Sequence, residues 1–293
     1  MAKIEKTTNV AILMATYNGE KYLQQQIDSI INQSYKYWDL FIHDDGSLDD
    51  TINILQQYSA NYANIHILTY DNEGIHSAMR NFFSLTDCVD AEYYMFADQD
   101  DVWHNDKIEK QLNIIKQLER RHSNLPVLVY SDAIIVDMQL HVLNKSFISY
   151  TGNHPEYLTN FHESGVTSFI PGCTMMFNQY AKKCIYRPIN FSSMHDMWLM
   201  LSVFKAKGIV FGITEPLLDY RQHTSNTVGA SEARKKSIIQ RIKHPIDTIK
   251  LNMERYKILQ SIEYGSFIKY LYYKLLYKWR IAIEYKNKQD YTI

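Results

Sequence analysis

The chain has 293 residues, 46% of them hydrophobic, so it can bury a substantial core and is not a disordered protein. Ten Gly and six Pro exclude a collagen-like or low-complexity chain. The formal net charge is -1, but residues 231–293 hold 14 Lys and Arg against 6 Asp and Glu, so this segment is basic and the remainder is acidic.

Cys88, Cys173 and Cys184 are too few and too widely spaced for a disulfide framework or a CxxC metal site, and we interpret them as reduced structural thiols. The first residues lack the cleavage site of a secretory signal, and no run reaches the roughly 18 apolar residues of a spanning helix. We expect a cytoplasmic protein that is soluble or bound to a surface.

The first half of the chain alternates apolar runs with segments of helical periodicity. This alternation predicts an α/β fold with a mostly parallel sheet covered by helices on both faces. A helix that Asp49 caps is expected after the second strand. Strands are predicted at 10–15, 38–43, 65–68 and 93–97, with helices after the first two strands and at 75–85.

A second half begins near residue 127 with the strand-like VLVYSDAIIVD and continues through PGCTMMFN, the helical HDMWLMLSVFKAKG and the strand-like GIVFGI. The residues after Ser231 are expected to form helices rich in Tyr and Lys. We predict one domain over 1–230, with halves at about 8–125 and 126–230, and a helical extension over 231–293.

Polar loops follow the predicted strands and read TYNG, HDDGS, YDNEG and ADQDD. Ligands bind at the carboxyl ends of parallel strands, which meet at one edge of the sheet. Clustered carboxylates repel one another in a low dielectric, and a hard divalent cation relieves that repulsion. Asp98 and Asp100 could instead cap the following helix, but their position behind three other polar loops favours a Mg²⁺ or Mn²⁺ site.

Asp44 and Asp45 fit a β-turn, which alone would account for DDGS, or a nucleoside site in which a carboxylate accepts from a base or ribose. Thr16 and Tyr17 follow the neighbouring strand and are candidates for the same pocket. Asn72 and Arg80 belong to the next loop and helix, where plain surface placement is the alternative.

Two later segments carry candidate chemistry. Asp196 opens an apolar helix and is either a partner of the helix dipole or a general base for an attacking hydroxyl. His223 could give a neutral imidazole to a metal, and Arg221 a charge to phosphate. No GxGxxG follows the first strand, and neither GxxxxGK[ST] nor GxSxG occurs, which disfavours dinucleotide oxidoreductases, P-loop kinases and serine acyltransferases.

Taken together, VAILMATYNGEKYLQQQIDSI, IHDDGSLDDT, DNEGIHSAMRNF, FADQDDVW, PGCTMMFN, MHDMWL and LDYRQHTSN resemble the family 2 inverting glycosyltransferases of the GT-A fold over about residues 8–230. DQDDVW, HDMWL and YRQHTSN are most similar to bacterial rhamnosyltransferases of cell-wall or capsular polysaccharides. The resemblance implies a nucleotide-binding half, an acceptor half and bound Mg²⁺ or Mn²⁺.

The resemblance also implies a role for individual residues. Asp196 would be the catalytic base; His195 stands where many relatives have Glu. The implied metal ligands are Asp98, Asp100 and His223. The expected acceptor side consists of Gly172, Cys173, His195 and Trp198. The expected donor site consists of Thr16, Tyr17, Asn18, Glu20, Asp44, Asp45, Asn72, Arg80, Asp98, Gln99 and Arg221.

The implied reaction moves a sugar, L-rhamnose from dTDP-β-L-rhamnose, onto a hydroxyl of a lipid-linked glycan. Two alternatives stay open: transfer of glucose, galactose or N-acetylglucosamine from a UDP donor, and an inactive sugar-nucleotide or glycan-binding assembly partner. Nucleic-acid binding through the basic extension lacks a recognisable module. That extension is expected either to cap the body or to dock on an anionic membrane surface.

Overall fold

The structure is a computed structural model. Within the C-terminal helical range 245–290, side chains are described only for residues 249–283. The described residues are 8–69, 77–167, 170–188, 194–223 and 245–290. The chain divides into two compact units, residues 1–147 with 170–229 and residues 148–169 with 230–293. The domain limits 1–230 and 231–293 stay a prediction. The compact unit that contains the C-terminal segment also contains residues 148–169.

Within the described residues, the strands form one nine-stranded sheet in the order β3-β2-β1-β4-β8-β6-β9-β5, with β7 beside β6. The pairs β1–β2, β1–β4 and β2–β3 are parallel, whereas β8 is antiparallel to both β4 and β6. The strands are β1 (Thr8–Thr16), β2 (Trp38–Asp44), β3 (Ile65–Ile67), β4 (Ala91–Ala97), β5 (Val102–Trp103), β6 (Val127–Val136), β7 (Val142–Asn144), β8 (Met175–Asn178) and β9 (Ile209–Arg221).

Helices flank this sheet, and the predicted α/β fold class is confirmed. Leu23, Ile27 and Ile30 of α1 follow helical spacing and are completely buried, so α1 presents one apolar face to the core. The helices are α1 (Leu23–Ile31), α2 (Thr51–Asn61), α3 (Ala78–Cys88), α4 (Lys107–Arg121), α5 (Phe147–Thr151), α6 (Phe161–Ser164), α7 (Gln179–Cys184), α8 (His195–Lys205), α9 (Pro245–Gln260) and α10 (Phe267–Asp290).

The central strand β1 lies between two parallel neighbours, and Val10 to Met14 are completely buried on it. Burial on both faces explains why the sequence shows a continuous apolar run instead of alternation. The strand order runs 3-2-1 and then jumps to 4, so the carboxyl ends of β1 and β4 border the crevice where such sheets bind ligands.

Two predicted helix starts are displaced. Asp50, not Asp49, is the residue before the first turn of α2, while Asp49 Oδ1 accepts from the backbone N–H of Thr51 at 3.1 Å. The helix expected at 75–85 begins at Ala78 and continues to Cys88; residues 75 and 76 lie outside the described ranges. End positions are the weakest part of a periodicity argument, because the helical repeat does not mark its own limits.

In the second unit, tyrosines and basic residues of α9 and α10 bind the segment 148–167. Arg280 Nη1 pairs with Glu163 Oε1 at 2.8 Å, and Arg255 Nε donates to the Gly165 carbonyl at 2.9 Å. Tyr264 and Tyr270 are completely buried. The predicted helical character of the extension is confirmed, and part of its tyrosine content forms the core of this unit.

Candidate functional site

Thr16, at the end of β1, is joined to the end of β2. Its hydroxyl donates to Asp44 Oδ2 at 2.8 Å, and the Asp45 N–H donates to the Thr16 carbonyl at 2.8 Å. Asp44 Oδ1 also accepts from the backbone N–H groups of Gly46 and Ser47. Asp44 therefore organises its own turn, as the β-turn interpretation required, and Asp45 lies buried next to it.

Asn18 and Glu20 connect the β1 loop to the residues that precede α2. Asn18 Oδ1 accepts from the Leu48 N–H at 2.8 Å, and Glu20 Oε2 accepts from the Asp50 N–H at 2.8 Å. Asn18 has a φ of 46°, a left-handed conformation that Asn tolerates better than most residues. Both side chains hold loop backbone, so their predicted contact with a donor stays a prediction.

Gln99 fastens the loop after β4 to the loop after β1. Its side-chain oxygen accepts from the Tyr17 N–H at 2.9 Å, and its amide donates to the Tyr17 carbonyl at 3.0 Å. A Cβ on Gly19 would lie 2.4 Å from the Gln99 Oε1, so the glycine of TYNG makes this approach possible. The Tyr17 side chain remains half-exposed beside the two strand ends, where a planar base can reach it.

Three potential ligand groups gather behind this edge: Asp98, Asp101 and Cys173 each offer an atom, and these atoms lie within 4.8 Å of one another. Burial raises the pKa of Asp98 to about 7, and the negative charges of Asp100 and Asp196 add to the shift. Burial and the negative charges of Asp100 and Asp98 raise the pKa of Asp101 well above its usual range.

The donor set suits a divalent cation. Asp101 Oδ2 is buried and has no hydrogen-bond partner in the described part of the chain, and its carboxylate lies among like charges. Carboxylate oxygens are ligands for Mg²⁺ and Mn²⁺, while a thiol is a softer ligand. A cation would therefore satisfy an orphaned atom and remove a repulsion.

Asp100 and His223, predicted as ligands with Asp98, contact each other. His223 Nε2 lies 2.7 Å from Asp100 Oδ2, and the imidazole stacks on Tyr22 at 4.9 Å between ring centroids. The structure thus brings Asp98, Asp100 and His223 to one region. It adds Asp101 and Cys173, which the sequence did not single out as part of a metal cluster.

Arg221 holds the DQDD loop in place. Its Nε donates to the Asp100 carbonyl at 2.7 Å, its Nη2 to Gln25 Oε1 at 2.6 Å and its Nη1 to the Met138 carbonyl at 2.7 Å. Its own N–H donates to Asp101 Oδ1 at 3.1 Å. The side chain is almost completely buried, and its guanidinium binds backbone and amide oxygens; its predicted contact with a donor phosphate stays a prediction.

Asp196 lies in the first turn of α8, and two backbone N–H groups bind its carboxylate. Met197 N–H donates to Oδ1 at 2.6 Å, and Gly172 N–H also donates to the carboxylate. Burial raises the pKa of Asp196 to about 6, although these donors oppose the shift. Asp196 also raises the pKa of Asp98, which places it close to the acidic cluster. A carboxylate of this pKa is ionised at neutral pH and is a stronger base than an ordinary Asp.

His195 and Trp198, which were predicted to contact the acceptor, are buried in the protein interior. His195 stacks on Phe82 at 4.0 Å between centroids, and burial lowers its pKa to about 3. Trp198 has no exposed surface and packs against Tyr186. Neither ring is accessible in this structure, and both instead fix α8, which carries Asp196.

Gly172 and Cys173 are also buried and border Asp196 and Asp98, respectively. A Cβ on Gly172 would lie 2.5 Å from His195 Nε2, so a side chain at position 172 would collide with the ring. The close approach allows the Gly172 N–H to reach Asp196. These two residues contact the acidic groups of the site, and their predicted contact with an acceptor stays a prediction.

The remaining donor candidates are Arg80 and Asn72. Arg80 is half-buried in the first turn of α3, and Asn72 lies outside the described residues. Sequence reasoning missed Lys107, a buried lysine whose Nζ contacts Gln111 Oε1 at 3.1 Å. Burial lowers the pKa of Lys107 to about 7, although the negative charges of Cys173 and Asp101 act to raise it. The signal available in the sequence was a lysine at the start of an otherwise amphipathic helix, which is too common to be diagnostic.

A family model described as glycosyl transferase family 2 matches residues 11–185. Among curated relatives, the dTDP-rhamnosyl transferase RfbG of Shigella flexneri is 31% identical over 229 residues, which cover 74% of each chain. The putative teichuronic acid biosynthesis glycosyltransferase TuaG of Bacillus subtilis is 28% identical, over 72% of this chain and 78% of the relative.

Solved glycosyltransferases share the fold at low identity. S. aureus TarS in complex with UDP has a TM-score of 0.54 and 17% identity, over 73% of this chain and 60% of that one. The mannosyltransferase PcManGT of Pyrobaculum calidifontis, in complex with GDP-Man and Mn²⁺, has a TM-score of 0.52 and 12% identity, over 78% of this chain and 60% of that one. The chain thus spans 60% of the length of either structure.

Proposed function

This chain belongs to glycosyl transferase family 2, and we propose that it is an inverting rhamnosyltransferase that moves L-rhamnose from dTDP-β-L-rhamnose to a lipid-linked oligosaccharide in bacterial surface polysaccharide synthesis. The observation that supports transfer by inversion is the placement of the Asp196 carboxylate. This carboxylate is bound by two backbone N–H groups at the start of α8 and lies near the carboxylates at the end of β4. Support for rhamnose comes from the RfbG relative and from the sequence motifs.

The donor nucleotide is proposed to bind at the ends of β1 and β2. Asp45 is the candidate partner for the base, and the half-exposed Tyr17 ring is a candidate stacking surface for it. Thr16 and Asp44 hold the turn that presents Asp45. Gln99 keeps Tyr17 beside the acidic cluster, so the nucleoside and the diphosphate would bind at neighbouring strand ends.

In the proposed reaction, Asp196 accepts the proton of the acceptor hydroxyl. The hydroxyl oxygen forms a bond to the anomeric carbon while the bond from that carbon to the diphosphate oxygen breaks on the opposite face. One displacement inverts the configuration and needs no covalent glycosyl-enzyme. The N–H groups of Gly172 and Met197 orient the carboxylate, and α8 is fixed by the packing of His195 and Trp198.

We propose Asp98, Asp100 and His223 as metal ligands, with Asp101 and Cys173 completing the acidic pocket. When bound there, Mg²⁺ or Mn²⁺ supplies positive charge that offsets the charge developing on the leaving diphosphate. Arg221 keeps Asp100 and Asp101 in place through its contacts with the loop, which is a positioning role. Asp100→Ala is expected to weaken metal-dependent donor binding in calorimetric titration, and unchanged affinity would remove it from the ligand set.

We further propose that the protein acts at the inner face of the cytoplasmic membrane, where a lipid-linked acceptor would lie. No helix in the described ranges is both long enough and apolar enough to cross a membrane. The proposal rests on the basic C-terminal segment, whose 14 Lys and Arg exceed its 6 Asp and Glu.

The test is a donor panel. The full chain is incubated with Mn²⁺ or Mg²⁺ and with dTDP-rhamnose, UDP-glucose, UDP-galactose or UDP-N-acetylglucosamine in the presence of lipid-linked acceptors, and release of nucleoside diphosphate is measured. Release from dTDP-rhamnose alone, with an α-linked product, is expected. A UDP sugar as the preferred donor would replace rhamnose by a hexose, and binding of donors without release would support the inactive assembly partner.

A further inference from the structure

Helix α10 carries a row of exposed apolar residues on one face. Their spacing of four, three, four and four residues keeps them within about 80° of one another around the axis and extends over roughly 22 Å. We call this row the α10 stripe, and its exposed fractions are 79% for Ile268, 59% for Tyr272, 67% for Leu275, 60% for Trp279 and 39% for Ile283.

The stripe is distinct from the apolar face that forms the core of the second unit. Tyr270, Tyr277 and Ile281 are buried on the other side of the same helix. The second unit is therefore already packed without the stripe residues, which expose five large side chains together, two of them aromatic. Contiguous exposed apolar surface of this kind marks an interaction site.

The basic residues of α10 whose side chains are described, those up to residue 283, also divide between the two faces of the helix. Lys274 binds Asn252 and the Tyr270 hydroxyl, and Arg280 binds Glu163, so these two charges are used inside the unit. Lys269 and Lys278 are exposed and lie about 90° from the stripe, on opposite edges of it. Between residues 267 and 283 the sequence has no Asp or Glu.

We propose that the α10 stripe docks on an anionic lipid bilayer. Aliphatic side chains can enter the acyl boundary, Trp279 and Tyr272 suit the headgroup level, and the two edge lysines can reach anionic headgroups. Each lysine near such a surface strengthens binding about fivefold at moderate salt. The inference deepens the proposed location at the membrane and rests on it, but it does not depend on which sugar is transferred.

Charge favours a bilayer over a second copy of the chain. When two helices pair through apolar residues spaced three or four apart, oppositely charged residues on either side of that apolar contact commonly form salt bridges between them. Here both edges carry lysine, and no acidic residue in 267–283 could pair with them. Self-association would bring like charges together, whereas an anionic surface neutralises both edges at once.

The experiment is flotation of the full chain with phosphatidylcholine vesicles that contain or lack phosphatidylglycerol, without donor or acceptor. Binding to the anionic vesicles, weakened by added salt, is expected. The variant Leu275→Ser/Trp279→Ser should bind at least ~10-fold more weakly, because it removes two of the five stripe side chains. The matched control is Val142→Ser/Leu143→Ser, which removes two apolar residues of β7 that are also more than half exposed, and it should bind like the wild type.

Two outcomes would overturn the inference. One is absence of binding to anionic vesicles, or equal binding by the stripe variant and the control. The other is a concentration-dependent dimer, seen by sedimentation, that the stripe variant abolishes; that result would identify the stripe as an interface between two copies. Nucleoside diphosphate release by the stripe variant in vesicle-free solution is measured separately, so failure of docking and failure of the proposed transfer are distinguishable.

Discussion

Replacing Asp196 by Asn is the sharpest test of the proposed chemistry. The amide keeps the shape of the side chain and can still contact the Gly172 and Met197 N–H groups through its oxygen, but it cannot accept a proton at neutral pH. A general base contributes on the order of 10²–10⁴ in rate, so turnover at pH 8 should fall at least ~100-fold with little change in donor affinity.

The pH dependence adds a second signature. Because burial raises the pKa of Asp196 to about 6, the carboxylate is the form present above that pH and is lost as the pH falls through it. The ionised fraction falls from about 99% at pH 8 to about 10% at pH 5, so kcat/KM of the wild type should drop about tenfold over that range. With Mn²⁺ saturating at every pH, so that protonation of Asp98 does not limit the rate, the Asn variant should lose this acidic limb, because the group that titrates is gone.

The assay is initial-rate release of nucleoside diphosphate from pH 5 to 8 at saturating Mn²⁺, with donor affinity measured in parallel by calorimetry. Asp106→Asn is the matched control, since Asp106 is a half-exposed carboxylate at the start of α4 that pairs with Lys110. It should leave both the rate and the pH profile unchanged. Near-normal turnover in Asp196→Asn, or an acidic limb that persists in it, would refute the role of Asp196 as the base.

Three further outcomes are expected. Since the pKa of Asp98 is raised to about 7, a proton competes with a cation, and Mn²⁺ affinity measured by calorimetry should fall by about fivefold from pH 7 to pH 6; constant affinity would exclude Asp98 as a ligand. Trp198→Ala should lower the free energy of unfolding by about 3–5 kcal/mol in urea titration, whereas Trp279→Ala should change it by less than about 0.5 kcal/mol, because only Trp198 is buried. Burial lowers the pKa of His195 from 6.5 to about 3. Between these two pH values the unfolded chain binds a proton that the folded chain does not, so the free energy of unfolding should fall with decreasing pH by up to about 1.4 kcal/mol per pH unit. His195→Phe should reduce that slope, and an identical slope would contradict the burial of a neutral imidazole.

Some residues of the acidic site could be predicted from local sequence, and others are brought there only by tertiary structure. DQDD could be recognised in the sequence because a strand end places consecutive polar residues at a known edge of the sheet. Cys173 follows Asp101 by 72 positions, and only the pairing of β8 with β4 brings its thiol to the carboxylates. Residue type alone suggested a phosphate contact for Arg221, and only the folded chain shows that its guanidinium also reaches three oxygens inside the protein.

By itself, the sequence determined the alternation of strands and helices in the first half of the chain, the apolar run of β1 and the polar loops that follow the first four strands. These features depend on near neighbours, whose periodicity and turn chemistry can be read residue by residue. Tertiary structure decided which side chains are accessible: it buried Trp198 and left Trp279 exposed, although both lie on helices. Burial depends on contacts between distant segments, and it also sets the pKa of Asp196, so both the shape and the basicity of the site are properties of the folded chain.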